Sequence, residues 1–523
     1  MGAGIVTRPR QLLIGLDAME WDLVRRWADQ GKLPTFRRLM QEGMRAELSS
    51  TAAQLPDTVW AATYTGSNPA RFQKYFYVQY DAATQGLKNV SDDGYKAEAF
   101  WDMLSARGKT VGVADPAKWP LSRSINGYQI ANWGAHATKA SRGTNPSELW
   151  SEVMSRFGEF PVRDCDAVDD NPKSQAKLRR DLLDGVRKHG QMFRWLMRER
   201  PAEVFYGAFS APHCAGHHFW RFMDPEHPRY DPEDRNGFRS TMEEIYAAID
   251  SEIGELIHAV GDGARVMCFA AHGMGPVYHA SWNIPDILDL LGYGPDGIKK
   301  TATAQEEHEG SVNFWRMLKM IVPGKVQYAI KNSLPKAAQD KLLFLWYAGG
   351  QNWKGARAFA VPNNDAVGSI RIAVKGRDKY GVVEPGEEYR RIVNDIRDAF
   401  QELTDPVTGR SVVSMVTLTH EAFQGPHIDN LPDITVQWDQ TFAWQHLQSP
   451  RIGVLKIRRQ DGRTGSHTSR GFVVAAGQGI PVGATETGRS IYDIAPTILE
   501  CAGVPIPESM DGKPLPAKQA MTA

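Results

Sequence analysis

Three short apolar runs in this chain each end at or just before a residue that binds metals. Leu12-Leu13-Ile14-Gly15-Leu16 closes on Asp17, and Val266-Met267-Cys268-Phe269-Ala270-Ala271 gives way to His272. Val204-Phe205-Tyr206-Gly207-Ala208-Phe209 runs out just before His213 and His217. A short run that is apolar throughout and bounded by turn residues suits a buried parallel strand. Open sheets of such strands gather their ligands at the carboxyl ends. Asp17, Thr58, His213, His217, His272 and His467 therefore read as one site. Aspartate and histidine are ligands for a divalent transition ion, and a threonine hydroxyl beside that ion is a candidate nucleophile.

Between these runs the pattern alternates. After Asp17 a helix is predicted through Trp21 to Trp27, then a turn at Gly31-Lys32-Leu33-Pro34, a second helix from Thr35 to Gly43 and a strand over 109–114. A long amphipathic helix over 175–200 and another over 237–260 feed the later strands. This rhythm predicts an α/β fold: a mostly parallel central sheet with helices on both faces. Residues 283–355 break it with a charged stretch, Gln305 to Glu309, and apolar helical segments, and read as a largely helical insertion or cap. From Ala358 strands return, with a helix over 387–403 and the loop carrying His467. The expected organisation is a first core part over 1–282, the insertion over 283–355, and a second core part over 356–523.

Composition excludes some function classes. Lys plus Arg and Asp plus Glu number 61 each, so no global basic field points to nucleic acid. No window approaches the roughly 20 apolar residues of a membrane span. The stretch before Asp17 is too short and too interrupted for a secretory signal. The four cysteines, Cys165, Cys214, Cys268 and Cys501, are widely spaced and read as reduced thiols of a cytoplasmic protein, with Cys214 also a candidate ligand. The oligomeric state is left open.

Two segments carry the most chemistry. Thr58 lies in Leu55-Pro56-Asp57-Thr58-Val59-Trp60, where it is expected at a helix N-terminus, facing unpaired amides and the positive dipole end that favour an anion. Near the C-terminus the chain reads Tyr492-Asp493-Ile494-Ala495-Pro496-Thr497-Ile498-Leu499-Glu500-Cys501-Ala502-Gly503-Val504-Pro505, then Met510-Asp511-Gly512-Lys513-Pro514-Leu515. This closely resembles the closing helix and loop of the alkaline phosphatase superfamily. The resemblance extends to Gly31-Lys32-Leu33-Pro34-Thr35 with Gly43, to the Thr58 segment with Thr65-Gly66 and Pro69, to His272-Gly273-Met274-Gly275 and to Gly465-Ser466-His467. Within the superfamily the chain is similar to the type I phosphodiesterase and nucleotide pyrophosphatase branch, and there to the bacterial predicted phosphohydrolase/phosphomutase group.

The resemblance implies a two-metal hydrolase that attacks phosphorus with a threonine alkoxide, Thr58, and then opens the phospho-threonine with water. It implies one metal on Asp17, Thr58 and an Asp-His pair, and another on an Asp, a His four residues on and the late His467. The sequence departs from that pattern twice: His213 stands for the first Asp of Asp-x-x-x-His, and Ala271 for the Asp of Asp-His-Gly. His213, His217 and His467 still make a competent set, suited to zinc first and to iron or manganese as alternatives. The Asp17/Thr58/His272 corner loses a ligand, so one or two ions are expected. The expected substrate is a small anionic ester, a phosphate mono- or diester. The alternatives are a different reaction or a non-water acceptor on the altered site, and a non-catalytic metal-binding relative. Arg71 and Lys74 are candidates for substrate contact or plain surface charge. His218 reads as packing or support to His217, and His279 as a pocket-lining candidate. The Cys/Ser-x-Pro-x-Arg setting of sulfatases is missing at Thr58.

Overall fold

The computed structural model describes residues 9–516 apart from 91–94, 96, 135–141, 163, 164, 166, 167, 296–352, 365, 366 and 459–461. Strand Gln11–Leu16 lies in the middle of a nine-stranded sheet, pairing in parallel with Val204–Phe209 on one side and Arg265–Ala270 on the other. The sheet runs in the order Thr485–Ser490, Met44–Ser49, Arg470–Ala476, Arg265–Ala270, Gln11–Leu16, Val204–Phe209, Val111–Ala114, Gly127–Ala131 and Gly143–Asn145. Arg470–Ala476 runs antiparallel to both neighbours, as does Gly143–Asn145 to its one neighbour; the other pairs are parallel.

Why the strands are apolar throughout follows from their two covers. Leu12, Ile14 and Leu16 share a core with helices Trp21–Asp29, Pro172–Glu199, Ala211–Met223 and Thr241–Val260. Leu13, between them, points the other way, into a core with helices Val59–Thr65, Phe100–Ala106 and Ile494–Cys501. Side chains alternate across a strand, so a strand with helices on both faces needs apolar residues at every position. Each such side chain, fully buried, stabilises the fold by about 1.5–3 kcal/mol.

Parallel register brings the strand ends level. Leu16 stands opposite Phe209, and Gly15 opposite Phe269, so Asp17, Ser210 and Ala271 emerge at one edge. The Asp17 amide donates to the Phe209 carbonyl at 3.0 Å, extending the ladder by one step. Ala18 then turns left-handed, with φ 57°, and redirects the chain towards helix Trp21–Asp29. A non-glycine residue there costs about 1–2 kcal/mol, held by its surroundings.

The strands expected to continue the core from residue 356 build a sheet of their own. Ala358–Ala360, Val367–Ile372, Ile434–Trp438 and Val413–Leu418 form four antiparallel strands in that order. They share a separate apolar core with helices Ile284–Leu291 and Glu387–Gln401. Periodicity reports that a strand is buried, but not which sheet buries it. Inside this sheet the charges are fully paired. Arg371, 1% exposed, bonds Asp378 and the Asp429 and Leu431 carbonyls, while Arg377 and Tyr389 bond Asp433. The chain rejoins the nine-stranded sheet at Arg470–Ala476. Most of the expected 283–355 insertion lies outside the described residues. Among the described residues no helix is long and apolar enough to cross a membrane.

Candidate metal centre

Helix Ala211–Met223 starts one residue after strand Val204–Phe209, with Pro212 in its first turn where a missing amide costs nothing. His213 and His217 are one turn apart, so their rings share a face. Their Nε2 atoms are 3.3 Å apart and the rings perpendicular. His217 Nδ1 lies 2.8 Å from the Gly465 carbonyl. A carbonyl only accepts, so Nδ1 carries the proton and Nε2 presents its lone pair, the tautomer a metal needs. Glycine is required for this approach: a Cβ on Gly465 would sit 2.3 Å from the Gly216 carbonyl. His218 turns elsewhere and donates from Nε2 to the Cys165 carbonyl at 2.8 Å.

The remaining imidazoles arrive on a two-stranded ribbon. Gly273–Pro276 pairs antiparallel with Gly465–Thr468, Met274 opposite His467, so His467 belongs to a strand and not to the expected loop. The signal for it was short, four residues between turns, too brief for a period to register. The His467 ring centroid is 4.4 Å from that of His272, 5.0 Å from His213 and 5.1 Å from His217. Ligand atoms of His213, His217 and His467 lie within 4.8 Å of one another. Both ring nitrogens of His467 are buried without a hydrogen-bond partner, a condition that costs about 1–3 kcal/mol for each such group. Burial, then the His272 and His217 rings and Lys118, hold its pKa well below the ordinary range, so the ring is neutral and able to ligate. Three converging imidazoles, one of them with both nitrogens unsatisfied, fit a transition ion.

The second corner is tied to the first through His272. Its Nε2 is 3.5 Å from Asp17 Oδ1, and the same oxygen accepts from Trp60 Nε1 at 2.9 Å. Burial alone would raise the Asp17 pKa, but His272, Trp60 and Lys118 together lower it, so the carboxylate stays charged. Thr58 ends the turn Pro56–Thr58 and is the N-cap of helix Val59–Thr65, as expected. Its hydroxyl makes no capping bond; it donates to the Leu55 carbonyl at 2.8 Å, 3.1 Å from Thr51 Oγ1, and is fully buried. Trp60, two positions on, links this helix to Asp17. Where the resemblance calls for an aspartate, Ala271 offers a buried methyl group.

Sequence reasoning missed three contributors. Lys118 follows strand Val111–Ala114, pairs with Asp57 next to Thr58, and its charge reaches both Asp17 and His467. Its signal was available: a lysine between prolines just past a strand, in Pro116-Ala117-Lys118-Trp119-Pro120. Glu20 is buried and accepts from the Met274 amide and the Thr468 hydroxyl, both at 3.1 Å, which clamps the strand that follows His272 to the strand that carries His467. Trp60 is the third. Of the proposed substrate contacts, Arg71 is paired with Asp511 and the Lys74 ammonium sits 4.6 Å above the Tyr95 ring, whose hydroxyl donates to the Asp57 carbonyl. Neither of these contacts is with an imidazole. His279 is buried.

The sequence profile of the type I phosphodiesterase / nucleotide pyrophosphatase family matches residues 11–464. Among solved structures the chain is similar to phosphonoacetate hydrolase from Sinorhizobium meliloti 1021, at 13% identity over 94% of this chain and 95% of that one, TM-score 0.49. It is similar to human ectonucleotide pyrophosphatase / phosphodiesterase 5 at 12% identity over 96% and 97%, TM-score 0.47. A mutant of the alkaline phosphatase PafA aligns at 12% identity over 98% and 99%, TM-score 0.49. No curated protein matches the sequence.

Proposed function

Because the chain belongs to the type I phosphodiesterase / nucleotide pyrophosphatase family, we propose that it is a metal-dependent phosphoryl-transfer hydrolase acting on a small phosphate mono- or diester through Thr58. The observation that carries this reading is the unbroken row Asp17, His272, His467, His213 and His217, with both His467 nitrogens left unpaired inside the protein. His213, His217 and His467 would hold one ion, zinc first and iron or manganese as alternatives, and Asp17, Thr58 and His272 a weaker second. When bound, such an ion supplies positive charge against the anionic ester and lowers the pKa of a nearby hydroxyl.

The side chains divide the remaining work. Thr58 Oγ1 passes its proton to solvent, gives up its bond to the Leu55 carbonyl, then attacks phosphorus in line. The P–O bond to the leaving group breaks, and its oxygen takes a proton from solvent. Water then opens the phospho-threonine, which restores the hydroxyl and releases phosphate or its monoester. Lys118, beside Asp57, supplies a cation to the anionic oxygens, and Trp60 keeps Asp17 aimed. The buried methyl of Ala271 favours a second reading, in which the same nucleophile serves another anionic ester or a non-water acceptor. The four cysteines stand as thiols, which supports the cytoplasmic placement expected from the sequence.

The nucleophile is the point to test, with aryl phosphate and bis-aryl phosphate as substrates. Thr58→Ala should lower turnover by at least about 10³-fold with His-site metal retained, as nucleophile removal does elsewhere. Thr58→Ser should keep measurable activity, since the hydroxyl remains and only the branching methyl is lost. Activity in Thr58→Ala within a few-fold of wild type eliminates covalent catalysis at this residue.

A further inference from the structure

A second cluster of metal-binding side chains adjoins the three imidazoles. Cys165 Sγ, Cys214 Sγ and a ring nitrogen of His213 lie within 4.8 Å of one another, and all three residues are buried. Cys214 directly follows His213 on helix Ala211–Met223. Cys165 comes from a distant part of the chain and is held there by His218, whose Nε2 bonds the Cys165 carbonyl at 2.8 Å. Both cysteines are thiols.

We propose that Cys165, Cys214 and His213 form a separate metal site for a soft or borderline ion such as Zn²⁺, one that the Thr58 reaction neither requires nor explains. Donors around zinc, at about 2.3 Å for sulfur and 2.0–2.1 Å for nitrogen, sit roughly 3.5–4 Å apart, so the triangle needs at most a small contraction. Charge favours the assignment as well. Each thiol passes its proton to solvent on binding, and two thiolates then cancel a divalent charge, leaving a neutral assembly that a buried pocket tolerates. The donor set also differs from its neighbour: thiolate sulfur selects softer ions than imidazole alone. His213 is common to both groups and, as a neutral imidazole, has one lone pair to give, so it serves one ion at a time and its removal weakens both, whereas the thiols belong only to this group.

Titration of metal-free protein with Co²⁺ reads the site directly. Thiolate ligation to cobalt gives an intense charge-transfer absorption that imidazole ligation lacks. The wild type should develop that band, with protons released as it grows. Cys165→Ser and Cys214→Ser should each remove most of it, and His217→Ala should leave it while weakening the three-imidazole site. No cobalt uptake, or uptake without the thiolate band, overturns the proposal on the wild type alone, whatever the folding of the variants. A band that survives both serine substitutions overturns it equally. Loss of turnover in Thr58→Ala leaves this result untouched, and a missing thiolate band leaves the Thr58 reading standing.

Discussion

Two of the buried clusters of ionisable groups among the described residues are built on opposite terms. In the four-stranded sheet, Arg371, Arg377, Asp378 and Asp433 are linked by hydrogen bonds and ion pairs, and none is left to be satisfied by a ligand. At the edge of the nine-stranded sheet, His467 is also buried, yet both its nitrogens are unpaired, and its near neighbours are other imidazoles. The first arrangement is what a chain needs to bury charge and remain folded. The second lacks a partner that the protein itself does not provide. Burial of polar groups is thus not a mark of function; burial without satisfaction is.

Removing one member of the paired cluster should give the largest change. Asp433→Ala leaves Arg377 and Arg371 short of a counter-charge, and denaturant unfolding should register a loss of about 3–5 kcal/mol. The effect should depend on pH. Burial raises the Asp433 pKa, but Arg377 and Arg371 override it and hold the folded value below the ordinary 3.8. Its stabilisation is therefore complete above that value and disappears as pH falls through the folded one. Wild type and Asp433→Ala should converge in stability at the acid end.

A smaller effect is expected at the imidazoles, and on metal rather than on folding. His467→Ala should weaken the ion held by the three imidazoles by about 100-fold or more, read by competition with a chelator. Unchanged metal content in that variant removes the three-imidazole site. Ala271→Asp should tighten metal at the Asp17/Thr58/His272 corner by roughly tenfold, about 1.4 kcal/mol. A calorimetric titration that finds no second or tighter site in Ala271→Asp breaks the correspondence at that position. The smallest change is the most pointed. In metal-free protein, His467→Leu should cost no more than about 1 kcal/mol of stability and is free to raise it, because the imidazole it replaces makes no hydrogen bond. A loss matching that of Asp433→Ala would falsify the contrast between the clusters.

Legibility in the sequence followed locality. Asp17, His217 and His272 could be read because each stands at or near the end of an apolar run, and parallel pairing makes strand ends converge. Thr58 was placed correctly at its helix start by Pro56 and the apolar turn after it. The sheet that holds Val367–Ile372 was not legible, since an apolar strand pattern carries no address. Nor were Glu20 and Trp60, whose roles come from contacts with Met274, Thr468 and Asp17, far away in the chain. Lys118 lies between, with a local signal but a role that only Asp57 and Thr58, from another segment, define.

The ribbon that seats His467 also sets a timetable. His217 leans on Gly465, a partner 248 residues further along the chain. At about 5–20 residues per second, a ribosome takes roughly 12–50 s to make that stretch. Throughout that interval the helix bearing His213 and His217 exists without the third imidazole, and Gly273–Pro276, once made, waits for its companion strand. Assembly of the three imidazoles is thus postponed until the polypeptide has been read almost to helix Ile494–Cys501. At this group a growing chain presents only two of the three imidazoles, and the third arrives with the strand that bears His467.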